Sequence, residues 1–229
     1  MLRPKKHISR KKIKEDRFVT LSFQVAGWIR AHRTPLMAAG IGVIVLIFAV
    51  AGLYSSRRAA EEQASLLALE GGYELSAGNL ETAQRVLQEA VNRYPRTRSA
   101  GRASYMLAQV YFQMRDIDRA QELYEQYLKR HARDNLTRAG AQAGLGACHE
   151  QREDWTEAAR AYETAARIIN NPGMEASYLL RAARAWRLGG DTTRSVMLYD
   201  RLIQEHPFTA EADRASVEKA MLTFAAERP

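Results

Sequence analysis

Five histidines and one cysteine are the side chains here with most to offer a metal or a nucleophilic reaction, and their spacing offers little. His7, His32, His131, His149 and His206 stand far apart, with no His-Glu-x-x-His run, so no metal site is expected. Cys148 and His149 are neighbours, and adjacent side chains on a helix point about 100° apart, so they do not form a nucleophile and its base. A packed small residue accounts for Cys148. Gly71-Gly72, Gly144 to Gly146 and Gly189-Gly190 fall within or at the ends of helical patterns, and none follows a strand as a phosphate loop would. Acidic side chains pair in sequence with arginines, as in Arg119/Glu122 and Arg160/Glu163, which describes a solvated helical face rather than a carboxylate pair for catalysis. The sequence therefore predicts no catalytic residue, no cofactor and no enzyme.

The formal charge of +8 over 229 residues invites a nucleic-acid reading, but its location argues otherwise. Residues 1–33 hold ten Lys/Arg and two Asp/Glu, while residues 55–229 hold twenty-four of each. All the net charge is in the N-terminal arm, the rest is neutral overall, and no nucleic acid is expected as a partner.

Leu36 to Tyr54 is an uncharged run of nineteen residues, opened by Pro35 and closed by Ser55, Ser56, Arg57 and Arg58. At helical rise it measures about 28 Å, close to the hydrocarbon thickness of a bilayer. Residues 35–55 are thus expected to form a transmembrane helix. A cleaved signal peptide is the competing reading, because Ala49-Val50-Ala51 has the form of a cleavage site. The long preceding segment, the long apolar run and the lack of a Cys at its end oppose both that and lipoprotein processing. Ten Lys/Arg before the span against Arg57 and Arg58 after it predict a cytoplasmic arm and an exported C-terminal part, hence an inner-membrane protein with a periplasmic or otherwise extracytoplasmic domain. Residues 1–34 form the arm. Phe18, Leu21, Val25, Trp28 and Ile29 make one apolar stripe at helical spacing, which predicts a short interfacial helix; Lys11, Lys12, Lys14, Arg17, Trp28, Arg30 and Arg33 would face the lipid surface. A disordered arm that only sets topology is the alternative.

Residues 56–229 show helical periodicity to the end and no alternating strand pattern. The fold class is all-α. Self-comparison finds a register anchored on Ala83, Ala120, Ala158 and Ser195, at spacings of 37, 38 and 37. Twelve residues before each anchor stand Gly71, Ala108, Gly146 and Ala183, and four after it Leu87, Tyr124, Tyr162 and Tyr199. Asn79, Asp116, Asp154 and Asp191, four before, fit a turn whose short polar side chain caps the next helix. A small residue lets two helices of a hairpin approach while a large one fills the groove beside it, and stacked hairpins bury what one cannot. The expected units are 64–97, 101–134, 139–172 and 176–209, with a capping helix over 210–226.

These columns resemble the tetratricopeptide repeat across about residues 60–226. The match is Leu107, Ala108, Tyr111, Ala120 and Tyr124 in the second unit, Leu145, Gly146, Ala158, Ala159 and Tyr162 in the third, and Ala182, Ala183, Trp186, Tyr199 and Pro207 in the fourth. The first unit departs, with Glu70 and Glu74 where Leu and Tyr are usual. The arrangement of arm, span and repeats looks like the YfgM-type ancillary subunits of the bacterial secretion translocon, and the repeats are also similar to those of YbgF-type envelope proteins.

The resemblance implies an α-solenoid scaffold for proteins or extended peptide segments, with the first helix of each hairpin lining a groove. Its lining would be Arg102, Tyr105, Gln109, Phe112 and Gln113, then Gly140, Ala143, Ala147, Glu150 and Gln151, then Leu180, Arg181, Arg184, Arg187 and Leu188. Arg181, Arg184 and Arg187 at i, i+3, i+6 form a row able to fork onto a partner's carboxylate; the alternative is that they are solvated or paired within the chain. A self-associating component of envelope assembly or division and an organelle receptor with cytosolic repeats are the rival readings. The oligomeric state is open.

Overall fold

The computed structural model describes residues 17–131 and 134–226, and these form ten helices joined by short turns, with no strand among the described residues. The chain divides into two units, Met1–Ser56 and Arg57–Pro229. In the first, α1 spans Arg17–Ala31 and is followed at once by α2, Arg33–Ser76. At the break between them the His32 ring stacks on Trp28 with centroids 4.8 Å apart. Pro35 falls in the first turn of α2, where a missing N–H leaves no helical bond unmade. The apolar stretch of α2 is long and apolar enough to cross a membrane, and none of it is buried by the rest of the chain. Trp28, Arg30 and Arg33 are exposed, Arg17 opens α1, and Lys11, Lys12 and Lys14 lie outside the described residues.

In the second unit, the part of α2 from Arg57 onward pairs with α3 (Leu80–Arg93) through a core that includes Ala68, Ala83 and Leu87. Then follow α4 (Arg98–Gln113) with α5 (Ile117–Arg130), α6 (Asn135–Gln151) with α7 (Trp155–Ile168), α8 (Pro172–Leu188) with α9 (Thr192–Glu205), and a last helix, α10 (Ala210–Ala226). From α3 onward each helix packs on the next, and α4 on α6 and α8 on α10 add contacts between first helices of successive hairpins. This is the expected all-helical solenoid.

The hairpins close on one device used four times. Gly78, Arg115, Glu153 and Gly190 all take positive φ, at +80°, +65°, +61° and +85°. In the turn after α4, the amide of Asp116 donates to Tyr111 O at 2.9 Å and that of Arg115 to Phe112 O at 3.1 Å. The same pair of bonds recurs at Asn79, Asp154 and Asp191. A left-handed residue followed by these two bonds satisfies the carbonyls orphaned at a helix end. The next helix starts immediately. Asp116 and Asp191 cap it through Arg119 N and Arg194 N, as the spacing predicts, but Asn79 and Asp154 do not. Asn79 donates instead to Glu74, and Asp154 turns toward His149 at 3.5 Å. The opposite turns carry a second column that the sequence reading missed: Thr97, Asp134, Asn171 and Thr209 each accept from the amide three residues on.

The repeat columns are buried. Ala83, Ala108, Ala120, Tyr124, Gly146, Ala158, Tyr162, Ala183, Ser195 and Tyr199 lie between helices. The spacing is close enough that a Cβ on Gly146 would stand 2.9 Å from the Tyr162 ring, and one on Gly71 would stand 2.5 Å from Leu87. Cys148 is fully buried among the same helices, and burial pushes its thiol up to about 11.

The turns give a direct test. A non-glycine residue in the left-handed region costs about 1–2 kcal/mol, partly offset by glycine's larger unfolded-state entropy. Glu153→Gly should therefore raise stability by about 0.5–1 kcal/mol, and Gly190→Ala should lower it by about 1 kcal/mol, both read from urea unfolding. Equal effects of one sign at both positions would show that the backbone there is not strained.

Candidate peptide-binding groove

On the face formed by first helices, α4, α6 and α8 enclose a cavity of about 310 Å³. Its floor is a stripe on α6, Gly140, Ala143, Gly144 and Ala147, at i, i+3, i+4 and i+7, where short side chains leave the space open. Gln109, Phe112 and Gln113 of α4 wall one side, and Ser177, Tyr178 and Arg181 of α8 the other. Tyr124 reaches in from α5 beneath Gly144. Two amides, two phenols, a hydroxyl and a guanidinium thus converge over an apolar floor, which suits main-chain amides and carbonyls of an extended segment.

Seven of the sequence-selected groove residues line this cavity: Gln109, Phe112, Gln113, Gly140, Ala143, Ala147 and Arg181. Tyr105 lies just outside it, its hydroxyl over Gly140 and its ring against Tyr124 and Tyr127. Gln151 accepts from Arg115, and Glu150 accepts from the Tyr162 hydroxyl at 2.6 Å. Arg102 does not reach the cavity and lines a separate cleft at the start of α4. Leu180 is a correction: it is 3% exposed and packs in the core of α8, α9 and α10, because the position beside Arg181 on a helix turns about 100° away from the groove.

The arginine row is not a uniform strip either. Arg181 sits 5.6 Å from the Tyr162 ring centroid and donates to its hydroxyl at 3.3 Å, so Glu150, Tyr162 and Arg181 form a chain that fixes the guanidinium at the cavity wall. Burial first, and the bond to Glu150 second, push the Tyr162 phenol up, so it is neutral at physiological pH. Arg184 is turned away: its guanidinium forks onto Glu218 of α10, which also accepts from Tyr199. Arg187 is exposed near Tyr199. The pairing of Arg184 within the chain is the alternative left open by the sequence, with Glu218 as the partner.

The signals missed in sequence are Ser177 and Tyr178, four and three residues before Arg181 on the same face, and Tyr124, which the packing column had already claimed. A second cluster also went unseen. Glu175, Glu205 and His206 bring their ligand atoms within 4.8 Å of one another, but Arg201 donates to both carboxylates and already supplies the positive charge there.

A solenoid of helical hairpins with an open groove defines a protein-interaction scaffold. Residues 105–175 and 177–209 match family models of the tetratricopeptide repeat, and residues 60–137 match that of the outer membrane lipoprotein family YfiO. Residues 105–175 and 177–209 carry tetratricopeptide repeats. No curated protein sequence matches it. Among solved structures, PilF of Pseudomonas aeruginosa is 20% identical over 70% of this chain and 69% of its own, with a TM-score of 0.53. The kinesin light chain TPR-like repeats of Podospora anserina are 18% identical over 70% and 84%, with a TM-score of 0.57. MamA is 16% identical over 69% and 88%, at 0.53. These likenesses establish the fold.

Glu218 carries a prediction about pH. Burial raises its carboxyl, but the bonds from Arg184 and Tyr199 outweigh that and hold it below the usual range. A depressed carboxyl contributes stability above its unfolded value near 4.3, which is lost as pH falls through the folded value. Because Arg184 is 38% exposed, the pair is discounted to about 1 kcal/mol. Glu218→Gln should destabilise the chain by about that amount at neutral pH, with the gap to wild type closing in melts taken below pH 4. A gap independent of pH would assign the loss to packing.

Proposed function

We propose that the chain is a single-pass membrane protein that presents its repeats on the exported side of a bacterial inner membrane and binds extended segments of other proteins in the groove over α6. The observation that carries this reading is the cavity itself, floored by Gly140, Ala143, Gly144 and Ala147 and walled by Gln109, Gln113, Tyr178 and Arg181. The groove is open and polar at its walls. The anchor is supported by the uncharged run in α2 and the orientation by the Lys/Arg excess in the arm. The envelope is supported by the match of residues 60–137 to an outer membrane lipoprotein family. Resemblance to YfgM-type subunits in overall arrangement extends the reading to assisting secretion or handing exported chains to chaperones. In that role residues 1–34 hold the cytoplasmic face, residues 35–55 span, and the four repeats over 64–209 bind.

Ala147→Trp fills the floor without touching the helix-pair columns, and Arg181→Ala removes the fixed guanidinium. Each should weaken capture of partners from detergent-solubilised membranes about tenfold, the equivalent of ~1.4 kcal/mol, with melting behaviour kept. Arg184→Ala should leave capture unchanged, because that side chain serves Glu218. Full capture by the Ala147→Trp variant would rule out the groove.

Topology is tested separately. Protease added to spheroplasts should digest the repeats and spare the arm. Digestion only after the inner membrane is broken would reverse the orientation.

A further inference from the structure

A second cleft, of about 900 Å³, opens between the α3–α4 turn, the first turns of α4, the end of α5 and the start of α6. Four arginines line it, Arg96, Arg98, Arg102 and Arg130, all exposed and none within ion-pairing distance of a carboxylate among the described residues. Two acids are present, and both are used by the backbone. The Glu61 carboxylate accepts from the amides of Arg98 and Ser99 at 2.8 and 3.0 Å and from the Ser99 hydroxyl at 2.7 Å. Asp134 accepts from the amide of Thr137 at 2.8 Å and from its hydroxyl. Four guanidinium charges therefore face two carboxylates that hydrogen bonds already hold, and the cleft keeps a net positive charge. Its depth depends on Gly101, where a Cβ would stand 2.7 Å from the His131 ring, and His131 in turn stacks with Tyr127.

We propose that this cleft binds a phosphate group. A single carboxylate offers two oxygens and suits one fork, whereas a phosphate offers three or more and accepts from several guanidinium groups at once. Four forks around one cleft, none within ion-pairing distance of a carboxylate and only Arg98 acting on one, Glu61, at longer range, match the second ligand better than the first. The group's source is either a soluble phosphate or the phosphomonoester headgroup of phosphatidic acid, which alike present three or more oxygens. The site is distinct from the groove over α6 and does not rest on it.

The test is arginine footprinting by phenylglyoxal, read by mass spectrometry on the full chain in neutral detergent micelles. Saturating inorganic phosphate should slow modification of Arg96, Arg98, Arg102 and Arg130 about tenfold, as ligand at some ten times its dissociation constant would. Arg85 and Arg214, exposed elsewhere, should react at unchanged rates. Mixed micelles containing phosphatidic acid form the other arm. Protection by phosphatidic acid assigns the site to a lipid headgroup, protection by inorganic phosphate alone assigns it to a soluble phosphate, and either supports the proposal. Protection in neither arm overturns it, as does equal slowing by sodium chloride at matched ionic strength. The double variant Arg98→Gln, Arg102→Gln should abolish protection of Arg96 and Arg130. Protection that survives in it would also overturn the assignment.

Discussion

One close approach governs the repeat unit: a residue with little or no side chain on the first helix of each hairpin lies against a large side chain on the second. Gly71 meets Leu87 and Gly146 meets Tyr162, while Ala108 with Tyr124 and Ala183 with Tyr199 share the same cores. Helices brought so near leave room only for a turn of three residues, which explains why each first helix is followed by a left-handed residue. The same economy of side chains spreads along α6. Gly140, Ala143, Gly144 and Ala147 leave this helix low between its neighbours, so the packing rule that builds the hairpin also hollows the groove.

The fold was legible because that approach needs particular residue sizes at particular intervals. Columns defined by size, such as Ala83, Ala120, Ala158 and Ser195, survive in one sequence as a period of 37 to 38. Columns defined by backbone geometry do not. Gly78, Arg115, Glu153 and Gly190 share one conformation but no chemistry, since the two tight bonds that follow can hold even a charged residue there. Thr97, Asp134, Asn171 and Thr209 share an oxygen acceptor on different side chains, which similarity of residue type does not reveal. Asp154 fits the cap column in sequence and yet faces His149, because a carboxylate beside both an amide and an imidazole has a choice that spacing cannot fix.

The site was legible only in part, for a related reason. Helical spacing says which residues share a face, but not where the face stops. Leu180, one residue from Arg181, fell on the wrong side of that limit. Partners distant in sequence were beyond reach altogether: Glu218 is thirty-four residues from Arg184, and no local pattern joins them. Tyr124 shows the opposite case, a residue whose packing was clear and whose exposure to the cavity depends on the missing Cβ of Gly144 on α6.

The fate of the three arginines shows how α10 shapes what the groove can be. A solenoid that simply stopped after α9 would leave the last hairpin with an uncovered apolar face and with polar groups poised for a neighbour. α10 supplies that neighbour. Ala212 and Ala215 bury against the preceding helices, Glu218 takes both Arg184 and the Tyr199 hydroxyl, and Lys219 takes Asp200. Capping by α10 therefore takes up Arg184, a side chain whose spacing alone placed it in the groove row. Arg181 escapes because Tyr162 and Glu150, from the unit before, hold it one turn earlier on the cavity side. The positive charge at the cavity is thus a single guanidinium over an apolar floor rather than a strip of three, a geometry that fixes one point of orientation and lacks the charge density that draws acidic chains in general.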